Sequence, residues 1–492
     1  MPIRERKNVY MLPNGDQTLE WYARAVAEMR KRPTTDPTSW NFQAGIHGFR
    51  PGSPFWANAG QLPSPGEQTE YWNQCQHGSW YFLPWHRMYL AYFEEIVADT
   101  IVKLGGPPNW ALPFWDYSDR SNPYALNIPP AFTAGSPATN PLQMPNGGNY
   151  PGRRSTRVDA RDVTLGALNN LIFQGSANGG SSGFGGPVTG FSHSGSVHGA
   201  LESKPHDLVH VDIGGAMGSP PTAALDPIFW LHHANIDRLW QVWLNLGNRR
   251  SNPIDNAWLK FTFDFRNAQR APTSLRVMDV VDTTQVLSGY TYQGVPANPP
   301  LQPMNKGFGF ITESLFSTFK QGEDDLPPEV AAASLQAVGL NSAGTTVELP
   351  FLAANRRNSP LRSFHAKALH QENALEADVQ TATSTFLNFE NITGKGLPPA
   401  CDVYLNLDNG SAADENHYAG ALAFFGIDEA STADERHSGS GQHYVLDISE
   451  VVNELQQQDS WHPEYLKVHL QPREPLDDES TVNIGRISLY VK

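Results

Sequence analysis

The spacing of hydrophobic positions predicts long amphipathic helices in the first half of the chain. Apolar residues recur at helical intervals from Thr18 to Arg32 and again from His86 to Leu104, where a Gly-Gly-Pro-Pro run ends the pattern. Asp226 followed by Pro227 is typical of a helix start, because aspartate caps free amides and proline fits the first helical position. We therefore predict a third helix that runs to about Leu246.

The pattern changes in the second half, where short β-branched segments separated by polar turns replace the helical period. Such segments cover residues 346–349, 402–407, 443–447, 466–470 and 487–491. Strands of this length and spacing are typical of an antiparallel β-sandwich. A proline-rich and acidic stretch before them indicates a connector. We predict a mainly α domain over 1–292, a linker over 293–344 and a C-terminal β-sandwich over 345–492.

Length and charge narrow the class of protein. At 492 residues and 54.3 kDa the chain is longer than one hydrophobic core normally serves, which agrees with two domains. Its formal net charge of -15 argues against nucleic acid and anionic membranes as partners, since both require a basic surface. No segment approaches the ~18 apolar residues of a membrane span, and the N-terminus lacks the apolar run of a secretory signal. We expect a cytoplasmic protein that acts on a small neutral molecule, with a homo-oligomer left open.

Histidines are concentrated in the predicted helical domain, which holds nine of the 16, while the other seven follow residue 360. On a helix His206 and His210 lie about 40° apart, so they can bind one ion. The adjacent His232 and His233 are about 100° apart, so only one of them can face that ion. Neutral imidazole favours borderline metals such as copper and zinc. Six histidines, His47, His77, His86, His206, His210 and His233, make two groups of three, which predicts a pair of metal ions, copper before zinc.

Two motifs around these histidines resemble the copper signatures of the tyrosinase, catechol oxidase and molluscan haemocyanin family. They read His77-x4-Phe82-Leu-Pro-Trp85-His86-Arg87-x2-Leu90-x3-Glu94 and Asp226-Pro-x-Phe229-Trp230-x2-His233-x3-Asp237. The similarity extends over residues 40 to 292, including the Tyr290-Thr-Tyr292 pattern. Resemblance to this type-3 copper family implies a four-helix bundle around two copper ions. By that resemblance the first copper is bound by His47, His77 and His86, and the second by His206, His210 and His233.

The resemblance also implies the reaction. Family members use O2 as co-substrate and oxidise o-diphenols to o-quinones, so we expect a copper-dependent polyphenol oxidase acting on a small phenolic substrate. Hydroxylating a monophenol is harder, because its hydroxyl has a pKa of about 10 and a base must take the proton. Glu202 is placed like the family carboxylate that holds a water near the site, although a solvated loop acid would look the same. Asp207 stands where many monophenol-oxidising members have Asn, and an acid there could act as a base or disturb the arrangement.

The two cysteines and one pair of charges carry further expectations. Cys75 precedes His77 by two residues, as in family members whose cysteine sulfur is joined to the imidazole carbon. That resemblance implies a thioether, and a small buried thiol is the alternative from residue type alone. With Cys401 as the other cysteine, no disulfide framework is expected. Arg87 and Asp237 lie close to predicted ligands, either supporting them or simply pairing two helices.

The C-terminal segment around Leu387 and Cys401 resembles that of plant polyphenol oxidases, although Ala400-Cys401 replaces their Lys-Phe. In those enzymes the sandwich can lie over the copper entrance and keep the enzyme latent, so we expect residues 345–492 to do the same. Two alternatives stay open. A haemocyanin-like protein would bind O2 reversibly on the same site. A carboxylate-bridged di-iron bundle requires Glu-x-x-His pairs, and Glu202 to His206 has one residue too many.

Overall fold

The computed structural model describes residues 3–144, 152–191, 197–296, 328–352, 364, 384–407, 414–434, 438–457, 461–462 and 464–492. Within them a helical domain and a β-domain each have a hydrophobic core of their own. Both parts of the predicted fold class are confirmed, the mainly α domain first and the antiparallel sheets after it. Among these residues no helix is both long and apolar enough to cross a membrane.

The helical domain contains eight α-helices in its described part: α1 (Thr18–Lys31), α2 (Trp40–His47), α3 (Pro65–Tyr71), α4 (Phe82–Lys103), α5 (Leu208–Ile213), α6 (Pro220–Ala223), α7 (Ile228–Asn245) and α8 (Asn256–Leu259). The three helices predicted from periodicity are α1, α4 and α7. Two small sheets accompany them. The strand β1 (Arg4–Arg6) pairs in parallel with β4 (Tyr290–Tyr292), and β2 (Thr262–Arg266) pairs antiparallel with β3 (Pro272–Arg276).

The helices α4 and α7 form the centre of this domain. Of their residues, 18 of 22 in α4 and 14 of 18 in α7 are buried, which is typical of helices surrounded on all sides. Tyr89 of α4 packs on Trp230 of α7 with ring centroids 4.7 Å apart. The helix α7 begins at Ile228, one residue later than predicted, with Pro227 as its N-cap, and the carboxylate of Asp226 accepts the N–H of Ile228 at 3.1 Å.

The segment before α5 is not a regular helix. Glu202–Asp207 forms a wide turn of π-helical type, and Lys204 within it has an extended backbone with φ -153° and ψ 120°. Proline disfavours helical backbone in the residue before it, and Pro205 follows Lys204. Glu202 and His206 therefore do not share a continuous helix face, which the sequence alone does not reveal.

The β-domain is a sandwich of two antiparallel sheets. Its strands are β5 (Glu329–Ala333), β6 (Val338–Gly339), β7 (Thr345–Pro350), β8 (Thr385–Lys395), β9 (Cys401–Leu405), β10 (Tyr418–Leu422), β11 (Gln442–Asp447), β12 (Tyr465–Pro472) and β13 (Thr481–Val491), with helices α9 (Ile427–Ala430) and α10 (Ser449–Gln457). One sheet has the order β10-β9-β12-β7 and the other β11-β8-β13-β5, with β6 also paired to β13. Apolar side chains from both sheets form the second core.

The β-domain begins earlier than the sequence predicts. Both β5 and β6 lie inside residues 293–344, the predicted linker, yet both pair with β13. The strand β5 is rich in alanine and lacks the β-branched alternation that marks the other strands, although Ala331 and Ala332 are fully buried. The boundary at 345 is therefore corrected to Glu329 or before. Residues 297–327 of the predicted linker lie outside the described residues.

Candidate metal centre

The first histidine cluster joins a helix end, a loop and a central helix. His47 is the last residue of α2, His77 lies in the loop before α4, and His86 lies in α4. Their ring centroids are 5.3 to 5.7 Å apart. One ligand atom from each ring and the sulfur of Cys75 all lie within 4.8 Å of one another. The structure therefore brings together the three histidines predicted to form one metal site.

The second cluster comes from the turn before α5, from α5 and from α7. The ring centroids of His206, His210 and His233 are 4.6 to 5.5 Å apart, and the Nε2 atoms of His210 and His233 are 3.3 Å apart. The two clusters adjoin, because the rings of His86 and His233 stack with centroids 4.5 Å apart. All six predicted histidines thus line one buried centre.

The rings are held so that metal-binding nitrogens remain available. Three rings bond through Nδ1 to a main-chain carbonyl at 2.8 Å: His47 to Pro220, His86 to Phe82, and His210 to Met217. A ring that donates from Nδ1 keeps the lone pair of Nε2 for a metal. The Nε2 atoms of His47 and His206 are buried and have no hydrogen-bond partner among the described residues. Such unpartnered nitrogens fit a bound metal ion.

Burial also favours the protonation state that binds metal. It lowers the pKa of His47 from 6.5 to about 3, and burial is likewise the largest cause of the lowered pKa of the other five histidines. Neutral imidazole is the form that binds metal. No carboxylate belongs to either histidine cluster among the described residues, unlike the ligand set of a di-iron bundle. The donor set therefore fits copper better than iron.

Cys75 lies against the ring of His77. Its Sγ is 3.5 Å from both nitrogens of that ring, and the carbon between those nitrogens is Cε1. The thiol is buried, and Cys401 is a separate free cysteine in the core of the β-domain. The described cysteines thus form no disulfide. The contact is compatible with the predicted thioether, which stays a prediction.

Glu202 and Asp207 lie beside the clusters and are joined by His198, which sequence reasoning missed. The Oδ1 of Asp207 accepts from Nδ1 of His206 at 2.8 Å, and its Oδ2 accepts from Nδ1 of His198 at 2.7 Å. The Oε1 of Glu202 accepts the N–H of Gly78 at 2.7 Å, while its Oε2 has no hydrogen-bond partner among the described residues. Because Glu202 is fully buried, the solvated-acid alternative is wrong.

The side chains of His198, Glu202 and Asp207 shift one another's pKa values. Burial opposes protonation of His198, but Glu202 and Asp207 outweigh it and raise the pKa of His198 to about 9. Burial raises the pKa of Glu202. Asp207 behaves oppositely, since His198 lowers its pKa in spite of burial. The opposite charges of His198 and Asp207 compensate each other, which suits a buried position.

The β-domain covers the centre with Phe425, in the loop between β10 and α9. The ring of Phe425 stacks on His210 with centroids 4.1 Å apart and lies edge-on to His77 at 5.3 Å. It is 2% exposed. The side-chain amide of Gln442 donates to its main-chain carbonyl. A cavity of about 420 Å³ beside it reaches His47 and His77 from the domain interface. Nothing in the spacing of the sequence around Phe425 signals this contact.

The expectation that only one of two adjacent histidines faces the second cluster is wrong. The ring of His232 lies 5.4 Å from that of His206 and 4.9 Å from that of His210, measured between centroids. Both of its nitrogens are buried without a hydrogen-bond partner in the described part of the chain. On a helix the Cα–Cβ bonds of adjacent residues point about 100° apart. The side chain of His232 is nevertheless long enough to bring its ring back to the second cluster.

Arg87 and Asp237 form a fully buried ion pair between α4 and α7. The Nε of Arg87 donates to Oδ1 of Asp237 at 2.5 Å. The Oδ2 of Asp237 accepts from the hydroxyls of Tyr290 and Tyr292, each at 2.6 Å, and from Arg6 at 3.4 Å. This network ties the two central helices to the paired strands β1 and β4. It supports the site by holding the helices that carry His86 and His233.

Comparison with known protein sequences shows which proteins this chain is similar to. Residues 37–170 and 138–246 match the model of the common central domain of tyrosinase, and residues 327–492 match a domain of unknown function. A tyrosinase of Hahella sp. (strain CCB-MM4) is 40% identical over 507 residues, 99% of either chain. The chloroplastic polyphenol oxidase A1 of Vicia faba is 30% identical over 60% of this chain and 48% of its own length.

Solved structures agree on the fold of both domains together. The structure of latent apple tyrosinase superposes with a TM-score of 0.58 at 22% identity, covering 100% of this chain and 98% of that one. A recombinant latent aurone synthase, a polyphenol oxidase, gives 0.57 at 21% identity over 99% of this chain and 89% of its own. Identity of 40% along the whole length to a tyrosinase shows that this protein belongs to the tyrosinase family, the type-3 dicopper oxidoreductases that act on phenols with O2.

Proposed function

We propose that the protein is a polyphenol oxidase that converts o-diphenols to o-quinones with O2 and is latent while its β-domain covers the centre. The observation that carries this proposal is the ring of Phe425 stacked on His210. The stacking contact supports an aromatic substrate, because the same imidazole face can accept a phenolic ring. Phe425 occupies the position proposed for the phenolic ring of a substrate, and because it has no hydroxyl it is not itself a substrate.

The copper ligands in this proposal are the six histidines of the two clusters. One ion would be held by His47, His77 and His86, and the other by His206, His210 and His233. When bound, the two ions supply O2 binding and the two-electron oxidation of the phenol. The protein contributes a dry, aromatic centre and neutral imidazoles held by main-chain carbonyls. These features orient the ligands before any metal arrives.

Latency in this proposal depends on contacts that hold the loop of Phe425 in place. Arg50 of the helical domain pairs with Asp428 at 3.1 Å and with Glu429, both directly after that loop. Gln442 holds the carbonyl of Phe425 from the other side. A phenol can reach the stacking face of His210 only after this loop has moved.

Glu202 is the better candidate for handling the proton of a monophenol. It is buried next to His77 through its bond to Gly78, and its Oε2 is unpartnered in the described structure, so it can hold a water or accept a proton. Both oxygens of Asp207 already accept hydrogen bonds, which leaves it less able to act as a base. We therefore propose diphenol oxidation as the main activity and monophenol hydroxylation, through Glu202, as an additional one.

The experiment compares copper-loaded wild-type protein with Phe425→Ala, measuring bound copper and O2 uptake with catechol and with a monophenol. We expect two coppers per chain in both and a several-fold higher rate with catechol in Phe425→Ala. Tyr124→Ala serves as control, since it removes an aromatic ring that is 64% exposed. Equal rates in wild type and Phe425→Ala would contradict latency. Two bound coppers without turnover of either phenol in Phe425→Ala would contradict the enzyme activity.

A haemocyanin-like carrier is not favoured, because the relatives that match are tyrosinases and polyphenol oxidases. The thioether is a separate proposal supported by the contact of Cys75 with His77. Joining Sγ to Cε1 breaks one S–H and one C–H bond and releases two protons and two electrons, and O2, the co-substrate in this proposal, is the oxidant that accepts them. The peptide containing both residues should therefore have a mass lower by two hydrogen atoms, and an unchanged mass would contradict the cross-link.

A further inference from the structure

Asp207 is a buried carboxylate shared by the two domains. Its Oδ1 accepts from Nδ1 of His206 at 2.8 Å. Its Oδ2 accepts from Nδ1 of His198 at 2.7 Å and from the hydroxyl of Tyr444 at 3.0 Å. His206 belongs to the second histidine cluster, whereas Tyr444 lies on β11 of the β-domain. None of these four side chains is more than 2% exposed, so the contacts are shielded from water.

The strand β11 is fixed against the helical domain at this point. The N–H of His198 donates to the carbonyl of His443 at 3.2 Å, and the ring of Tyr444 packs on that of His198 with centroids 4.6 Å apart. Gln442 and Tyr444 are the two buried residues of this strand, whose pairing with β8 shifts register between them. The side chain of Gln442 holds the carbonyl of Phe425. One strand therefore carries both the support of the covering ring and the contact to the buried carboxylate.

Hydrogen-bond partners of a metal ligand fix its ring and raise its basicity. Asp207 can do this for His206 only while the carboxylate itself is held in one orientation. Tyr444 supplies one of the two donors to Oδ2, and removing that donor leaves a buried acceptor with one partner fewer. The contact thus extends from the β-domain, through one carboxylate, to a predicted copper ligand.

We infer that Tyr444 is a positioning residue for the second copper: acting through Asp207 it orients His206, so the β-domain completes the copper site as well as covering it. The inference rests on the proposed function, because it assumes that His206 holds copper. Strand β11 would then act on the centre in two ways. The loop of Phe425 controls access of the phenol, whereas the hydroxyl of Tyr444 controls how firmly the second copper is retained.

The test uses Tyr444→Phe in the full-length, copper-loaded protein, which deletes the hydroxyl and keeps the ring. Loss of a direct partner of a metal ligand typically costs 10–100-fold in metal affinity. Tyr444 acts one step further out, through Asp207, so we expect the lower end of that range, about 10-fold, seen as faster transfer of one copper per chain to EDTA than in wild type. The matched control is Tyr418→Phe, also in the β-domain, whose buried hydroxyl has no hydrogen-bond partner among the described residues. Its copper retention should equal that of wild type.

Equal copper retention in wild type and Tyr444→Phe would overturn the inference, as would an equal loss in Tyr418→Phe, which would indicate general loosening. Faster catechol oxidation with unchanged copper retention would also overturn it, since the hydroxyl would then only hold the domains together. Combining Tyr444→Phe with Asp207→Ala must give less than the sum of the two single effects. Additive losses would show that Tyr444 does not act through Asp207.

If Tyr444→Phe does not fold, Asp207→Ala alone decides, because it removes the carboxylate through which Tyr444 would act on His206. Retained copper in that variant would overturn the inference. Failure of the proposed function is recognised separately. In that case wild-type protein would not bind two coppers, or Phe425→Ala with two coppers would not oxidise catechol.

Discussion

Individual side chains decide which nitrogens hold the second copper, and the adjacent His232 and His233 make that assignment testable. The Nε2 of His233 lies 3.3 Å from Nε2 of His210, so both point at one position. We expect His233→Asn to lower bound copper from two ions to one per chain after dialysis. His232→Asn should keep both ions, because the three other rings of the cluster remain. Equal loss of copper in the two variants would contradict a three-histidine site.

Sequence motifs and their resemblance to the copper signatures predict the six clustered histidines, but not the side chains that surround them. Short intervals along the chain make some of these histidines recognisable: the pair His206 and His210, and the motif positions of His86 and His233. Tyr444 reaches Asp207 across 237 positions of the chain, and no local pattern encodes such a contact. Side chains brought to the site by docking of a second domain can be found only from the folded structure.

At the scale of elements, the ion pair between α4 and α7 is expected to be a main source of rigidity. Asp237→Asn would leave Arg87 and Arg6 without their shared carboxylate, and breaking a buried pair typically costs about 3–5 kcal/mol. We expect a loss of that order in the free energy of unfolding, measured by denaturant titration of the copper-free protein.

The control for this variant is Asp99→Asn, which removes the carboxylate of an i, i+4 pair with Lys103 on the exposed end of α4. Exposed pairs contribute about 0–1 kcal/mol, so stability should change little. Similar losses in the two variants would show that burial of Asp237 is not what makes its pair important.

Periodicity predicts the long helices and five of the thirteen described strands, and some of the elements it misses have identifiable physical causes. The helices α1, α4 and α7 and five strands of the β-domain follow from apolar spacing, since each buries a regular set of side chains. The strand β5 escapes prediction because its alanines carry no strand preference, and it becomes a strand by pairing with β13. The irregular turn at Lys204 is likewise set by its neighbour Pro205 and by packing.

On the scale of the whole molecule, charged contacts hold the β-domain against the helical domain. Arg473 of the β-domain donates to Asp162 of the helical domain at 2.9 Å, and the side chain of Asp162 is fully buried. Arg473→Met would leave Asp162 buried and unpaired, which is costly. We expect looser docking, seen as faster catechol oxidation by the intact chain. Arg486→Met is the control, because Arg486 is 45% exposed and pairs at 4.0 Å within the β-domain.

Acid should loosen the same interface through His443. Its carbonyl accepts from His198 of the helical domain, and burial with the charge of His198 lowers the pKa of His443 from 6.5 to about 4. The docked form therefore binds fewer protons than the released form between these values, so docking weakens as the pH falls from 6.5 to about 4. Hydrogen exchange of β11 should then rise over this window beyond its intrinsic pH dependence.

His443→Gln should flatten that rise, because a side chain that cannot be protonated removes the pH-dependent cost of docking. His462→Gln provides the comparison, since the described ring contact of His462 is with Tyr465 of the same domain. A rise that persists in His443→Gln would assign acid loosening to other groups at the interface. A rise that vanishes only in this variant would make one imidazole the acid-sensitive contact, acting on a strand that also holds Phe425 over the histidines through Gln442.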